Sequence, residues 1–263
     1  MCILFIAFRV HPDYPLILCA NRDEFHHRAT AAAHYWPPEG KILAGQDLQA
    51  GGTWLGLNDR GQIAALTNIR SPANHSDNRL SRGDLPLAAL QQGSHFQTWL
   101  QSHSDNYNPF NLIWGDREQL HCYNSLQRQL QPLTPGCHAI SNGALDERWP
   151  KMAKGEQALE ALVNRPEEPD IEALLAMMKD DSIPDDKLLP DTGVGLEWER
   201  RLSSIYICHP EYGTRSTTLI LQDTQGRSRY IELRFDGKGR QLGRQQFIRN
   251  AQDETFNLKN DRG

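Results

Sequence analysis

The sequence predicts an α+β layered domain. Two observations carry that expectation: short apolar runs broken by turn residues lie toward both ends of the chain, and helical periodicity is confined to its middle. The chain has 263 residues, enough for one substantial core. The expected organisation is a single domain over 1–249 and a polar tail over 250–263 that frays.

Cys2–Val10 reads as a strand that is apolar on both faces, as suits a strand buried between layers. His11-Pro12-Asp13-Tyr14-Pro15 is turn chemistry, and Leu16–Ala20 is a second strand. A turn centred near Asp13 sets Cys2 opposite Asp23 or Glu24. Gly51-Gly52-Thr53-Trp54-Leu55-Gly56 leads into Leu57-Asn58-Asp59-Arg60-Gly61, a turn signal between two strands, and the second of these, Gln62–Thr67, ends at Asn68. Ser81–Gln92 has a helical pattern with Pro86 in its first turn, and Phe96–His103 forms another. Asn111–Gly115, Gln119–Tyr123 and Cys137–Ser141 suit short strands, the last running into Asn142-Gly143. Asp146–Val163 is helical, with Pro150 in its first turn, and Ile171–Met178 is a short helix. Asp180–Pro190 is an acidic loop. Ser204–His209, Ser216–Leu221 and Ser228–Phe235 read as strands.

Composition narrows the class. Lys and Arg total 28 against 33 Asp and Glu, a formal net charge of −5. With no dense basic run, nucleic acid is not the expected partner. The longest apolar stretch near the start, Ile3–Phe8, is too short for a membrane span or a secretory signal, and no basic segment precedes it. The five cysteines are Cys2, Cys19, Cys122, Cys137 and Cys208. Their odd count, wide spacing and lack of a CxxC pair argue against a disulfide framework and a structural zinc site. The reading is a soluble cytoplasmic protein with reduced thiols and no metal site.

Cys2 carries the sharpest chemical signal. Removal of Met1 makes it the N-terminus, with a thiol and an α-amine on one residue. Unperturbed, the amine has a pKa of roughly 7.7–8.0 and the thiol roughly 8.5. The amine is then positioned to activate its own nucleophile. The plainer reading is a small buried hydrophobe. Similarly, Asn21-Arg22-Asp23-Glu24 is either a polar strand exit or a cluster that meets the N-terminus and orients its amine.

Taken together, Met1-Cys2, Asn21-Arg22-Asp23-Glu24, Gly51–Gly56, Leu66-Thr67-Asn68-Ile69-Arg70, Ser81-Arg82-Gly83, Phe110-Asn111-Leu112, Ser141-Asn142-Gly143 and Tyr212–Ser216 resemble the NRDE family, also called the transport and Golgi organisation family. The resemblance spans nearly the whole chain. That family is similar to N-terminal-nucleophile hydrolases of the penicillin V acylase and bile salt hydrolase type, which implies a four-layer αββα sandwich. By the same resemblance Cys2 matches the nucleophile, Asp23 the aspartate that contacts the N-terminal amine, and Asn68 an active-site asparagine. Asn142 falls where a second would sit, so that amide groups there stabilise an oxyanion. The hydrolases have an arginine directly before the asparagine of their Arg-Asn-x-Asp segment; here Ala20 fills that position and the arginine is Arg22. Their late catalytic arginine has three candidates, Arg200, Arg201 and Arg215.

Two functions follow from the resemblance. One is a small-ligand-handling protein, for which the family implies intracellular haem binding and trafficking, and for which acyl compounds have also been suggested. Arg22, Arg28 and Arg70 suit propionates, and Glu24, Trp54 and Arg215 complete the expected ligand set. Haem here is a bound ligand rather than a required cofactor. No CxxCH occurs, and each of the ten histidines is individually better read as surface or core. The other function is a cysteine amidohydrolase cleaving a linear carbon–nitrogen bond, with Cys2, Asp23, Asn68 and Asn142 as its machinery. The sequence specifies no oligomeric state.

Overall fold

The computed structural model describes residues 2–250 and 257–259. Its first sheet holds β1 (Cys2–Phe8), β2 (Leu16–Phe25), β10 (Gly136–Ile140), β11 (Tyr212–Gln222), β12 (Ser228–Phe235), β13 (Gln241–Arg249) and β14 (Asn257–Lys259), in the order β10-β1-β2-β11-β12-β13-β14. The second is an antiparallel meander of β3 (Thr30–Tyr35), β4 (Ile42–Asp47), β5 (Leu55–Asn58), β6 (Ile63–Asn68), β7 (Phe110–Gly115), β8 (Leu120–Asn124) and β9 (Gln129–Pro132), adjacent in chain order. Helices α3 (Pro150–Val163) and α4 (Ile171–Met178) cover the first sheet, and α1 (Asp84–Gln92) and α2 (Phe96–His103) lie on the side of the second. A short helix, α5 (Leu196–Arg201), follows the acidic loop. The architecture is the αββα sandwich.

Alternation along the strands builds three apolar layers. Leu4, Ile6 and Phe8 of β1, with Leu16 and Leu18 of β2, point between the sheets and meet Leu43, Leu55, Leu57 and Ile63. The intervening Ile3, Phe5, Ala7, Ile17 and Cys19 point to α3 and α4, which is why β1 reads as apolar on both faces. Ala64, Leu66 and Leu112 pack under α1 and α2. Helix α3 lies so close to β1 that a Cβ on Gly155 would meet Phe5 Cζ at 2.1 Å.

The hairpin register differs from the expectation. Phe8 pairs with Leu16 and Cys2 with Arg22, so the turn centres on Pro12 rather than Asp13. His11 sets this: its Nδ1 accepts from the Asp13 and Tyr14 amides at 3.1 and 3.2 Å, while Arg9 N–H donates to the Pro15 carbonyl at 2.7 Å. Cys2 therefore stands opposite neither Asp23 nor Glu24. A one-residue change of register exchanges faces: Cys2 and Arg22 share the inter-sheet face, and Asp23 faces the helices.

β2 continues to Phe25 rather than ending at Ala20, because β11 pairs with it as far as Tyr212. Its polar residues find partners far away in sequence: Asn21 Nδ2 donates to the carbonyls of Met178 and Ile205, and its Oδ1 accepts from Thr217. Ser204–His209, expected as a strand, is a loop with an isolated bridge from Cys208 to Gly213. Its amides go elsewhere: Tyr206 to the Asp180 carbonyl and Ile207 to Thr214 Oγ1. β3, β4, β9, β13 and α5 were not anticipated. In the expected tail, Asn257–Lys259 pairs with β13; most of the rest lies outside the described residues.

Candidate functional site

At the end of the sandwich where β1 begins and β2, β4 and β6 finish, a cavity of about 600 Å³ opens. Cys2, Arg22, Glu24, Trp54 and Asn68 line it, all singled out from sequence. Two near-contacts of backbone shape its wall. A Cβ on Gly52 would sit 2.4 Å from the Gly83 carbonyl carbon, and Thr53 N–H donates to Gly83 O at 3.0 Å. Only glycine permits that approach, and it brings Ser81-Arg82-Gly83 over the site.

Cys2 is buried, and burial pushes its thiol up to about 11, so it is a neutral thiol at physiological pH. Arg22 lies opposite it in the sheet, its guanidinium carbon 4.4 Å from the Trp54 ring centroid, a cation–π arrangement. Asp47 organises this corner. Its Oδ2 accepts from Arg28 at 2.6 Å and Arg22 at 3.4 Å, and its Oδ1 accepts from the amides of Gln49 and Ala50. Burial alone would raise its pKa, but Arg28 and the two amides outweigh that and hold it below the usual carboxylate range. Glu24 is likewise held low, because the N-terminal charge, the Phe25 amide and the charges of Arg22 and Arg28 exceed the cost of burial. Both carboxylates are ionised at neutral pH.

Arg82 donates to the Pro109 carbonyl at 3.0 Å; burial lowers its pKa to about 10, leaving it cationic. With Arg22, Arg28 and Arg79 it gives the cavity four arginines against Glu24, Asp47 and Asp77. His75 stands at the wall beside Asp77 at 3.3 Å. Sequence reading missed Asp47, Arg79 and the role of Arg82. The Ser81-Arg82-Gly83 segment was a signal, but its approach to Gly52 is tertiary.

The other expected site residues lie apart from the cavity. Asp23 is 2% exposed and faces the helices; its Oδ1 accepts from Thr214 Oγ1 at 2.7 Å. Burial lifts its carboxyl to about 6, against the opposing charges of the N-terminus and of Lys151, itself buried and lowered to about 8. The Asn142 amide is engaged on both sides: Nδ2 donates to the Asn68 carbonyl at 2.9 Å and Oδ1 accepts from Arg70 at 3.1 Å. It holds Asn68 rather than facing the cavity. Arg70 forms a buried ion pair with Glu199 at 2.5 Å. Arg215 donates through Nη1 to the carbonyls of Phe25, His26 and Arg28, clamping the turn after β2. Arg200 and Arg201 pair with Asp186 and Glu197 on the surface.

Among the described residues no cluster of three His, Cys, Asp or Glu side chains could hold a metal ion, the five cysteines are free, and no helix is long and apolar enough to cross a membrane.

Comparison with known proteins places this geometry. The chain is 36% identical to the Transport and Golgi organization protein 2 homolog of Bos taurus over 255 residues, covering 88% of this chain and 92% of that protein. It is 35% identical to the Homo sapiens homolog over the same shares. Among solved structures it is similar to a mutant conjugated bile acid hydrolase from Clostridium perfringens, with a TM-score of 0.50 at 9% identity, covering 98% of this chain and 92% of that one. That likeness shows the fold, that of the N-terminal-nucleophile hydrolases. The family model Transport and Golgi organisation 2 matches residues 1–237, and the chain belongs to that family.

Proposed function

We propose that the chain is a cytoplasmic small-ligand-handling protein whose cavity takes an amphiphilic anion, with haem the ligand that its family implies. One observation carries the reading: a ligand-sized cavity of about 600 Å³ is walled by four arginines while its cysteine is held as a neutral thiol. Pockets of a few hundred to about 1,000 Å³ are the size that small molecules occupy. Arg82, which donates to a carbonyl rather than to a carboxylate, can pair with a propionate or another acid group. His75 is the imidazole at the wall and the better candidate for iron, because Cys2 resists forming the thiolate that iron would take. The free cysteines suit a reducing cytoplasm.

Titration of the purified protein with haem, followed at the Soret band, tests this. Saturable binding is expected, weakened roughly 10-fold by Arg82→Gln, the loss of one charge-assisted contact. A featureless, unsaturable titration sinks haem, and equal affinity in the variant sinks the arginine assignment.

A second reading has its own observation: Cys2 and Asn68, from opposite sheets, line one cavity. An amidohydrolase needs Met1 removed so that the Cys2 amine is free. Intact mass gives that answer directly, and a panel of amides with wild type and Cys2→Ala gives the activity. Retained Met1, or hydrolysis unaffected by Cys2→Ala, ends the amidohydrolase reading.

A further inference from the structure

Behind Arg22 and Trp54, which wall both spaces, lies a smaller chamber of about 100 Å³. Its floor follows from register. Arg22 on β2 stands opposite Ser216 on β11, and Ser216 stands opposite Arg234 on β12. Opposed residues of antiparallel strands share a face, with Cβ atoms about 4.5–5.5 Å apart. The three side chains therefore form one row across the sheet, continuing the line that begins at Cys2. Glu232 lies two residues from Arg234 on the same face, and Arg215, at the bulge between Thr214 and Ser216, adds a third guanidinium.

The donors in this chamber exceed the acceptors. Arg22 and Ser216 are 5% and 4% exposed. Arg22 Nη1 and Ser216 Oγ have no hydrogen-bond partner among the described residues, nor do Arg215 Nε and Arg234 Nε. Groups buried in this way are normally satisfied, and each that is not costs stability. The charges are also unequal: three arginines and the single carboxylate of Glu232 line the chamber, and Asp47, which Arg22 reaches at 3.4 Å, is shared with Arg28. The Glu232 carboxylate already accepts from the Ala33 amide at 2.9 Å, and burial pushes it up to about 7, so at neutral pH it supplies less than a full charge. Water fills polar cavities and completes hydrogen bonds, but it carries no charge to set against the lining arginines, of which Arg22 is buried and Arg215 and Arg234 are half-buried.

We propose that this chamber is a binding site for a small inorganic oxyanion of the phosphate or bicarbonate class, held by Arg22, Ser216 and Arg234. About 100 Å³ has room for such an ion, since one water takes roughly 30 Å³. The site is distinct from the ligand cavity but shares Arg22 with it. The ion takes Nη1 while Nη2 stays with Asp47, so its occupancy governs how much charge Arg22 presents to the larger space.

Isothermal titration of the full chain with inorganic phosphate at constant ionic strength tests the proposal. One phosphate per chain is expected. Arg234→Gln should weaken binding roughly 10-fold or more, and Ser216→Ala by a smaller factor. Arg82→Gln, which changes the larger cavity, should leave the affinity within about 2-fold. Absence of saturable binding to the wild type overturns the site. So does loss of binding in Arg82→Gln with Arg234→Gln unaffected, which puts the ion in the ligand cavity. If Arg234→Gln does not fold, Ser216→Ala carries the test, since it removes one hydroxyl and no charge; unchanged affinity there overturns the proposal.

Discussion

Arg22 and Asp23 are neighbours on β2 and face opposite sides of one sheet, into different chemistry. On the helix side most polar groups are bonded to one another and to the backbone: Asn21 to two carbonyls and Thr217, Asp23 to Thr214, Lys151 to the Leu202 carbonyl at 2.8 Å, and Arg70 to Glu199 and Asn142, with Arg70 Nε the one donor of this set left without a partner among the described residues. On the inter-sheet side Arg22 keeps a buried Nη1 without a partner and borders two cavities. A buried polar network that satisfies itself holds the fold together. Buried donors left open at a cavity mark a place built for something else. The difference is what supports the proposal that one face of β2 serves structure and the other a ligand.

The strongest way to break that contrast is at the Arg70–Glu199 pair, with side chains 5% and 3% exposed. Glu199→Gln leaves Arg70 as an uncompensated buried charge and should cost about 3–5 kcal/mol in urea unfolding. A loss below about 1 kcal/mol would mean that the helix-side network is not a structural unit.

The next effect is read through pH. The folded chain keeps the Asp23 proton up to about 6, whereas the unfolded carboxyl releases it near 3.8. Folding therefore takes up a proton between these values. This group's contribution to stability falls as pH rises from about 4 to about 6, by up to roughly 3 kcal/mol. Lys151, lowered from 10.5 to about 8, acts in the opposite sense, adding stability as pH rises through that higher window. Asp23→Asn should remove the acid-side slope in unfolding measured from pH 4 to 7. An unchanged slope would assign it to another group.

On the inter-sheet side, Arg82→Gln should change stability by less than about 1 kcal/mol while weakening the cavity's ligand, the reverse of Glu199→Gln. Large destabilisation there would erase the distinction between the faces. Cys2→Ala is the mildest change, expected at about 1 kcal/mol for loss of one buried sulfur; thermal unfolding checks that it is a folded reference for the amide panel.

Much of the fold was legible because its signals are local. The apolar run Ile3–Phe8, the pattern of Ile171–Met178 and the limits of Ser228–Phe235 each declare an element within a few residues. Gln241–Arg249 was not legible, because its mostly polar, partly exposed residues become a strand only by pairing with β12. Ser204–His209 had the composition of a strand, but its amides were claimed by Asp180 and Thr214. At the site, Cys2, Arg22, Glu24, Trp54 and Asn68 were all found from motifs and all line the cavity. Asn142, Arg70 and Arg215 came from the same motifs yet are held by carbonyls and carboxylates supplied from distant segments.

The sequence by itself determined the layering and the family, since periodicity and short motifs are carried by neighbouring residues. It also pointed to Cys2, Arg22 and Glu24 together at one end of the sandwich. Only the tertiary structure decided which of those residues face each other. A strand alternates faces at every residue, so the placement of Arg22 and Asp23 depends on where the preceding turn closes, and His11 closes it around Pro12. The cavity's remaining charges come from Asp47, Asp77, Arg79 and Arg82, brought together by a contact between Gly52 and Gly83 that lie far apart along the chain.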